Sequence, residues 1–298
     1  MTLIKIHLAR LLFFPSLLCL DAPFVALGWA FCLVQDLDGA GLDGSSAWSG
    51  AALFLSVWMI YLFDRLFDVS RSGASVPRTP RHEWARRHRS LLGGLFAAAF
   101  VSFLVAVLPR LEGKIIVVGL AIGFFTGLYY VAFRFSRWYA VLGREVPFKE
   151  ITIALCFTGG ILLVASPSVF TYGLVPLLAG YLALFTANCL LISRAESGID
   201  RCADPAAYFS EERSLAPHAN LPGRGAILAV AGGFAILLLE GEWLRSSLSL
   251  IVCGLLTWML ARRGGDDDND KVTQPLADGI QLLPWIALAG EVIWKIVA

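Results

Sequence analysis

Charge is what this sequence has least of. Asp, Glu, Lys and Arg make up 16% of its 298 residues while 57% are hydrophobic, against about 25% charged residues in soluble globular chains. So few charges cannot cover a water-facing surface of this size, which excludes a soluble enzyme, and so apolar a chain is not disordered. A net charge of +1 excludes a nucleic-acid binder that needs a strongly basic face. No CxxC pair occurs among the six cysteines, five of which lie in apolar runs, so they read as small hydrophobes rather than a disulfide frame or a zinc site. A Gly-rich phosphate loop and a nucleophile elbow are missing. No His pair stands at ligand spacing in an apolar segment, which removes support for a haem or zinc role.

Long apolar runs are what the chain has instead, and mean hydropathy is +0.71. A spanning helix needs roughly 20 mostly apolar residues. We read nine such runs, at 11–34, 47–66, 91–109, 113–133, 148–165, 170–193, 225–240, 243–262 and 280–297. The first follows Lys5 and Arg10 as a signal peptide would. No small-x-small cleavage site closes it, so it is read as a span. The expectation is an all-α polytopic integral membrane protein with one transmembrane domain, 1–298. With the N-terminus placed inside, 20 of the 24 Lys and Arg residues fall in inside segments, as the positive-inside rule requires.

Three local features carry expectations. The stretch 264–270, GGDDDND, reads as a solvated acidic turn. Gly119, Gly123 and Gly127 recur every four residues and predict a face for close helix packing. Asp21 stands just before Pro23 inside the first run, where it either caps a helix restarted there or faces a polar cavity.

The charges left over are sorted in a second way. The second run ends in Tyr61-Leu-Phe-Asp64-Arg-Leu-Phe-Asp68 and the sixth leads from Asn188 to Glu196 and Asp200. Both endings carry acid-x-x-x-acid, which places two like charges on one helix face with Cβ atoms about 5–6 Å apart. Something must offset that repulsion, and a hard divalent cation such as Mg²⁺, which favours carboxylate, phosphate and water oxygens, does so. Runs two and six are both even, so both pairs leave the membrane on the same face and four carboxylates can meet at the mouth of one cavity. Arg71, Arg78, Arg81, Arg134, Arg137 and Lys149 lie in the same inside segments and suit a diphosphate. Plain ion pairs from Arg65 and Arg194 to the acids are the alternative. Trp58 and Tyr61 precede the first pair on a similar face, as Tyr181, Phe185 and Asn188 precede Glu196. Such aromatic faces either shield a cation or simply pack.

These endings, with the span count and the basic loops, resemble the UbiA superfamily of intramembrane prenyltransferases over nearly the whole chain. That family carries nine transmembrane helices and two Asp-rich motifs after helices two and six. Asp64 and Asp68 match the last two acids of its N-D-x-x-D-x-x-x-D motif, and Glu196 and Asp200 the last two of its D-x-x-D-x-x-x-D motif. The segment from Phe148 to Gly160 resembles the start of the family's fifth helix. Ile60-Tyr61 stands where the first motif has Asn-Asp, and Ser193 where the second has its leading acid. The chain is therefore similar to a divergent member.

The resemblance implies Mg²⁺ held by Asp64, Asp68, Glu196 and Asp200, and an isoprenyl diphosphate as donor to a lipophilic acceptor. Tyr61, Trp58, Asn188 and Asp21 would lie in the substrate pocket. It further implies a bacterial inner membrane with a cytoplasmic N-terminus and site. A terpene cyclase on the same scaffold is a rival expectation. So are a silent relative that binds polyprenyl lipid or a membrane partner, and a transporter that uses the acids for cations.

Overall fold

A chain in lipid must satisfy its backbone hydrogen bonds within itself, so long apolar runs close into helices. The computed structural model describes residues 15–38, 44–71, 80–135, 146–165, 172–197, 208–210, 220–239, 243–263 and 267–289, and these are helical without a strand. The main helices are α1 (Asp21–Asp38), α2 (Gly44–Arg71), the short α3 (Pro80–Arg87), α4 (Arg89–Ser102), α5 (Gly113–Phe135) and α6 (Phe148–Ala165). They are followed by α7 (Leu174–Ala195), α8 (Leu221–Leu239), α9 (Leu244–Arg263) and α10 (Asp267–Gln281). Six stretches are long and apolar enough to cross a membrane: Ala47–Ser70, Arg89–Arg110, Phe148–Ala165, Leu174–Ala195, Leu221–Leu239 and Leu244–Arg263. They match six of the predicted runs, and Gly113–Tyr129 adds a shorter apolar helix at the fourth.

The first and last predicted runs lie partly outside the described residues, at 11–14 and 290–297, and their described parts are broken. The first is interrupted at 18–20, where Cys19 adopts φ 56°, and α1 begins at Asp21, whose Oδ1 accepts the Ala22 N–H at 3.0 Å. Pro23 falls in the first turn of α1, where a missing N–H breaks no helical bond. At the other end of the chain α10 stops at Gln281, ahead of Pro284, and a separate helical piece covers 284–289. The acidic stretch is also corrected. Its residues from Asp267 onward form the first turn of α10, where negative charge favours a helix N-terminus.

Packing departs from the glycine prediction as well. Among the described residues, a Cβ added at Gly123 or Gly127 would meet nothing within 4 Å, and one at Gly119 only Leu163. The close approach lies instead between α7 and α8. A Cβ at Gly232 would stand 3.0 Å from both the Gly180 Cα and the Pro176 carbonyl. A Cβ at Gly254 on α9 would stand as close, 2.9 Å from the Ala226 carbonyl of α8. The core runs through α1, α6 and α7, with Trp29, Tyr181 and Leu184 fully buried. Trp29 meets Tyr181 edge-on at 5.0 Å between ring centroids, and Phe157 meets Phe185 at 4.8 Å.

Candidate functional site

α1 and α2 run antiparallel, so the start of α1 and the end of α2 share one end of the bundle. The Trp58 indole fixes this by donating to the Leu18 carbonyl at 2.9 Å. α3 lies across α2 there, with Ala85 packed into a small cluster with Cys19, Leu62 and Leu92. Two consecutive residues of α3 reach two different helices. Arg81 Nη2 donates to both carboxylate oxygens of Glu196, at 2.8 Å each, and Glu196 caps the end of α7. His82 Nε2 stands 3.9 Å from Asp68 Oδ2 on α2. One short helix thus links the first predicted acidic pair to the second. Asp64, one turn before Asp68, is half-buried.

The remaining predicted residues divide into three groups. Arg78, Arg137 and Asp200 lie outside the described residues, as do the side chains of Arg71 and Arg134. Lys149 opens α6, half-buried, beside Glu150. Tyr61 and Asn188 line a small half-open cavity that Trp58 and Asp21 do not line. Glu196 takes Arg81 as a partner, and Arg194 donates to the Ala261 carbonyl at 2.9 Å, tying α7 to α9. Among the described residues no three His, Cys, Asp or Glu side chains stand close enough to hold one metal ion.

The lining is partly apolar, with Val25 of α1, Ala154 and Phe157 of α6, and Phe185 of α7. Its polar members are Tyr61, Asn188, and from α10 Asp278 and Gln281. Asn188 Nδ2 donates to Asp278 Oδ1 at 3.5 Å, while Asn188 Oδ1 and both amide atoms of Gln281 are buried without a partner. Asp278 sits on α10, outside the six apolar helices. Its burial, with Asp21 nearby adding to the effect, pushes its carboxyl up to about 7, against the pull of Arg81 and the Asn188 bond. The phenol of Tyr61 is in electrostatic reach of Asp21, Asp64 and Asp278, so the polar members adjoin the acidic end of α2.

The sequence reading missed the α10 part of this lining. Its signal was an acid and an amide three residues apart, Asp278 and Gln281, on the flank of an apolar run. It also missed the clip that follows α7. Glu150 Oε1 accepts the Tyr208 N–H at 3.0 Å and Ser193 Oγ accepts the Phe209 N–H at 3.4 Å, which buries both aromatic rings against Leu190. Ser193, where the resembling motif carries an acid, thus serves as an anchor for the following loop.

No family model, curated protein or solved structure matches this chain.

Proposed function

We propose that the chain is a divergent intramembrane prenyltransferase of the UbiA type, a single transmembrane bundle of nine spans. Its site lies on the cytoplasmic face of a bacterial inner membrane. The observation that carries this reading is the cavity of mixed apolar and polar lining, next to the end where Asp64, Asp68, Arg81 and Glu196 gather. That arrangement suits an amphiphile with an apolar chain and an anionic head, as an isoprenyl diphosphate is.

The donor set fits Mg²⁺. Hard carboxylate oxygens are what it takes, and one or two carboxylates suffice when phosphate and water complete the octahedron. Asp64 and Asp68 would hold it on one side, Glu196 and Asp200 on the other. When bound it would take up negative charge as the donor's C–O bond breaks. Arg71, Arg78, Arg81, Arg134, Arg137 and Lys149 would grip the diphosphate, with Arg81 passing from Glu196 to the phosphate oxygens. Tyr61, Phe157 and Phe185 would face the allylic cation and exclude water from it. The acceptor then attacks that carbon, and its proton leaves to a base.

The Arg81–Glu196 pair favours a second reading, a relative that binds polyprenyl lipid without turnover, because Glu196 is already neutralised by an arginine. Diphosphate release from geranylgeranyl diphosphate with Mg²⁺ separates the two. The transferase reading expects release that needs an acceptor and falls at least about 100-fold in Asp64→Asn. Release without acceptor and with a hydrocarbon product would assign a cyclase. No release by the wild-type chain with any donor length would sink the enzyme reading.

A further inference from the structure

The segment ahead of α4 takes its positive charge from one amino acid alone. Between residues 71 and 89 it holds Arg71, Arg78, Arg81, Arg86, Arg87 and Arg89, and no lysine. α3 sorts its share of them onto two faces. Arg81 and His82 turn inward to Glu196 and Asp68, and Ala85 is buried against Leu62 and Leu92. Glu83, Arg86 and Arg87 follow the i, i+3, i+4 spacing of a single face. That face is turned away from the bundle, with the two arginine side chains 50% and 69% exposed. Glu83 sets the two guanidiniums side by side. Arg86 grips both carboxylate oxygens, Nη2 on Oε1 at 2.8 Å and Nε on Oε2 at 3.1 Å, while Arg87 Nε donates to the same Oε1 at 3.1 Å. The outer Nη groups of Arg87 make no hydrogen bond among the described residues. Arg89 opens α4, exposed, and takes no partner among the described residues. Three arginines against one glutamate leave an excess of two positive charges at this corner. The surface below it is apolar and open. Of the six apolar stretches, the one that starts here, Arg89–Arg110, is the least covered by protein. Leu91 is 48% exposed in the first turn of α4, and Phe100, Val101 and Val105 continue the exposed surface. A Cβ added at Gly93 or Gly94 would meet nothing within 4 Å among the described residues, which leaves room beside the helix. Half-buried Trp84, with the His88 ring stacked on it at 4.3 Å, stands where a membrane interface places its aromatic residues. A ligand matched to this corner has two parts: an anionic oxygen head for the guanidinium forks, and an apolar body for the face of α4. A soluble anion has only the first.

We infer that Arg86, Arg87 and Arg89, at the corner between α3 and α4, bind the headgroup of an anionic phospholipid whose acyl chains run down the open face of α4. The phosphate oxygens accept from the free N–H groups of Arg87 and Arg89, and Glu83 holds Arg86 beside them as a fixed positive charge. A zwitterionic headgroup brings its own cation to the same place and meets the excess charge less well. The contact ties α3 to the membrane surface by its outer face, while Arg81 and His82 on its inner face reach Glu196 and Asp68. This lipid is neither donor nor acceptor in the transferase reading, so the corner stands or falls apart from it.

The test uses the full chain in detergent and two lipids with the same oleoyl chains, phosphatidylglycerol and phosphatidylcholine. Binding is read by native mass spectrometry. Phosphatidylglycerol is expected to bind about tenfold tighter. Arg87→Gln with Arg89→Gln should bring that ratio below about threefold. Arg89→Gln alone should give an intermediate ratio and serves where the pair fails to fold. Arg262→Gln with Arg263→Gln removes the same charge from the end of α9 and should leave the ratio as it is. Equal binding of the two lipids to the wild-type chain would overturn the inference, as would a ratio unchanged in the α3–α4 variants. A fall of the same size in the α9 variant would also overturn it, because the preference would then follow total charge and not this corner. Displacement of bound phosphatidylglycerol by an equal concentration of glycerol 1-phosphate would put a free anion in place of the lipid and overturn it too.

Discussion

The two ends of the bundle handle a buried carboxylate in opposite ways. At one end Asp36, its side chain fully buried, spends both oxygens on α9: Oδ2 accepts the Ser246 N–H at 2.7 Å, and Oδ1 the Arg245 N–H and guanidinium at 3.3 Å. It caps a helix more than 200 residues away in sequence and leaves nothing over. At the other end Asp278, Asn188 and Gln281 share a single long hydrogen bond, and three polar atoms stay unpaired beside open space. A carboxylate that closes the structure is matched oxygen by oxygen. Groups kept for a ligand are left short of partners, and the protein carries the cost.

Breaking the closed end should cost the most. Asp36→Ala leaves the α9 N-terminus uncapped and Arg245 half-buried beside it. A loss of about 2–3 kcal/mol is expected in denaturant unfolding in detergent, with diphosphate binding retained in what stays folded. A stability equal to wild type would show that the two ends do not differ. Next comes the pH dependence of the open end. The Asp278 carboxyl titrates near 7 in the folded chain and near 3.8 when unfolded. The folded state therefore holds the extra proton between these values, and stability falls as pH rises from about 4 to about 7. Asp278→Asn should flatten that slope, by about 1–3 kcal/mol across the window; melting curves at pH 4.5 and 7.5 measure it. A slope that survives the substitution would assign the titration to another group.

A smaller effect is expected at the bridge between the two acidic pairs. Arg81→Ala should lower stability by about 1 kcal/mol, since the pair with Glu196 is partly exposed. Its larger signature should be weaker diphosphate binding. Unchanged binding would exclude Arg81 from the anionic site. The smallest effect belongs to Glu83, which is a third exposed on α3 and held at about 2 by hydrogen bonds from Arg86 and Arg87. Glu83→Gln should leave the melting temperature unchanged, because solvent screens such pairs.

The helices of the bundle were legible because hydrophobicity over 20 residues is a strong and local signal. The same runs could not show where the chain breaks within them. Cys19 in the left-handed region and Pro284 after Gln281 are single-residue events inside apolar stretches. Asp64, Asp68 and Glu196 were visible as misplaced charge, and α3 does join Asp68 to Glu196 through His82 and Arg81. What pairs with what was not visible. Arg194, two residues from Glu196, turns to the Ala261 carbonyl, while Arg81 crosses 115 residues to reach it. Gln281 and Asp278 were hidden for a different reason. They lie on a mixed helix that begins with an acidic turn, where polar residues attract no notice. The glycine periodicity of α5 misled because it lies on one helix, whereas the working contact pairs Gly180 with Gly232 on two.

That contact bears on how the cavity changes size. Where backbones touch there is no layer of side chains left to compress, so α7 and α8 form the stiff partner of any breathing motion. The walls able to yield are those still spaced by side chains: Val25 on α1, Tyr61 on α2 and Phe157 on α6. A bulky guest is therefore admitted by displacement on one side only, with Asn188 on the stationary side as the fixed reference point for whatever enters.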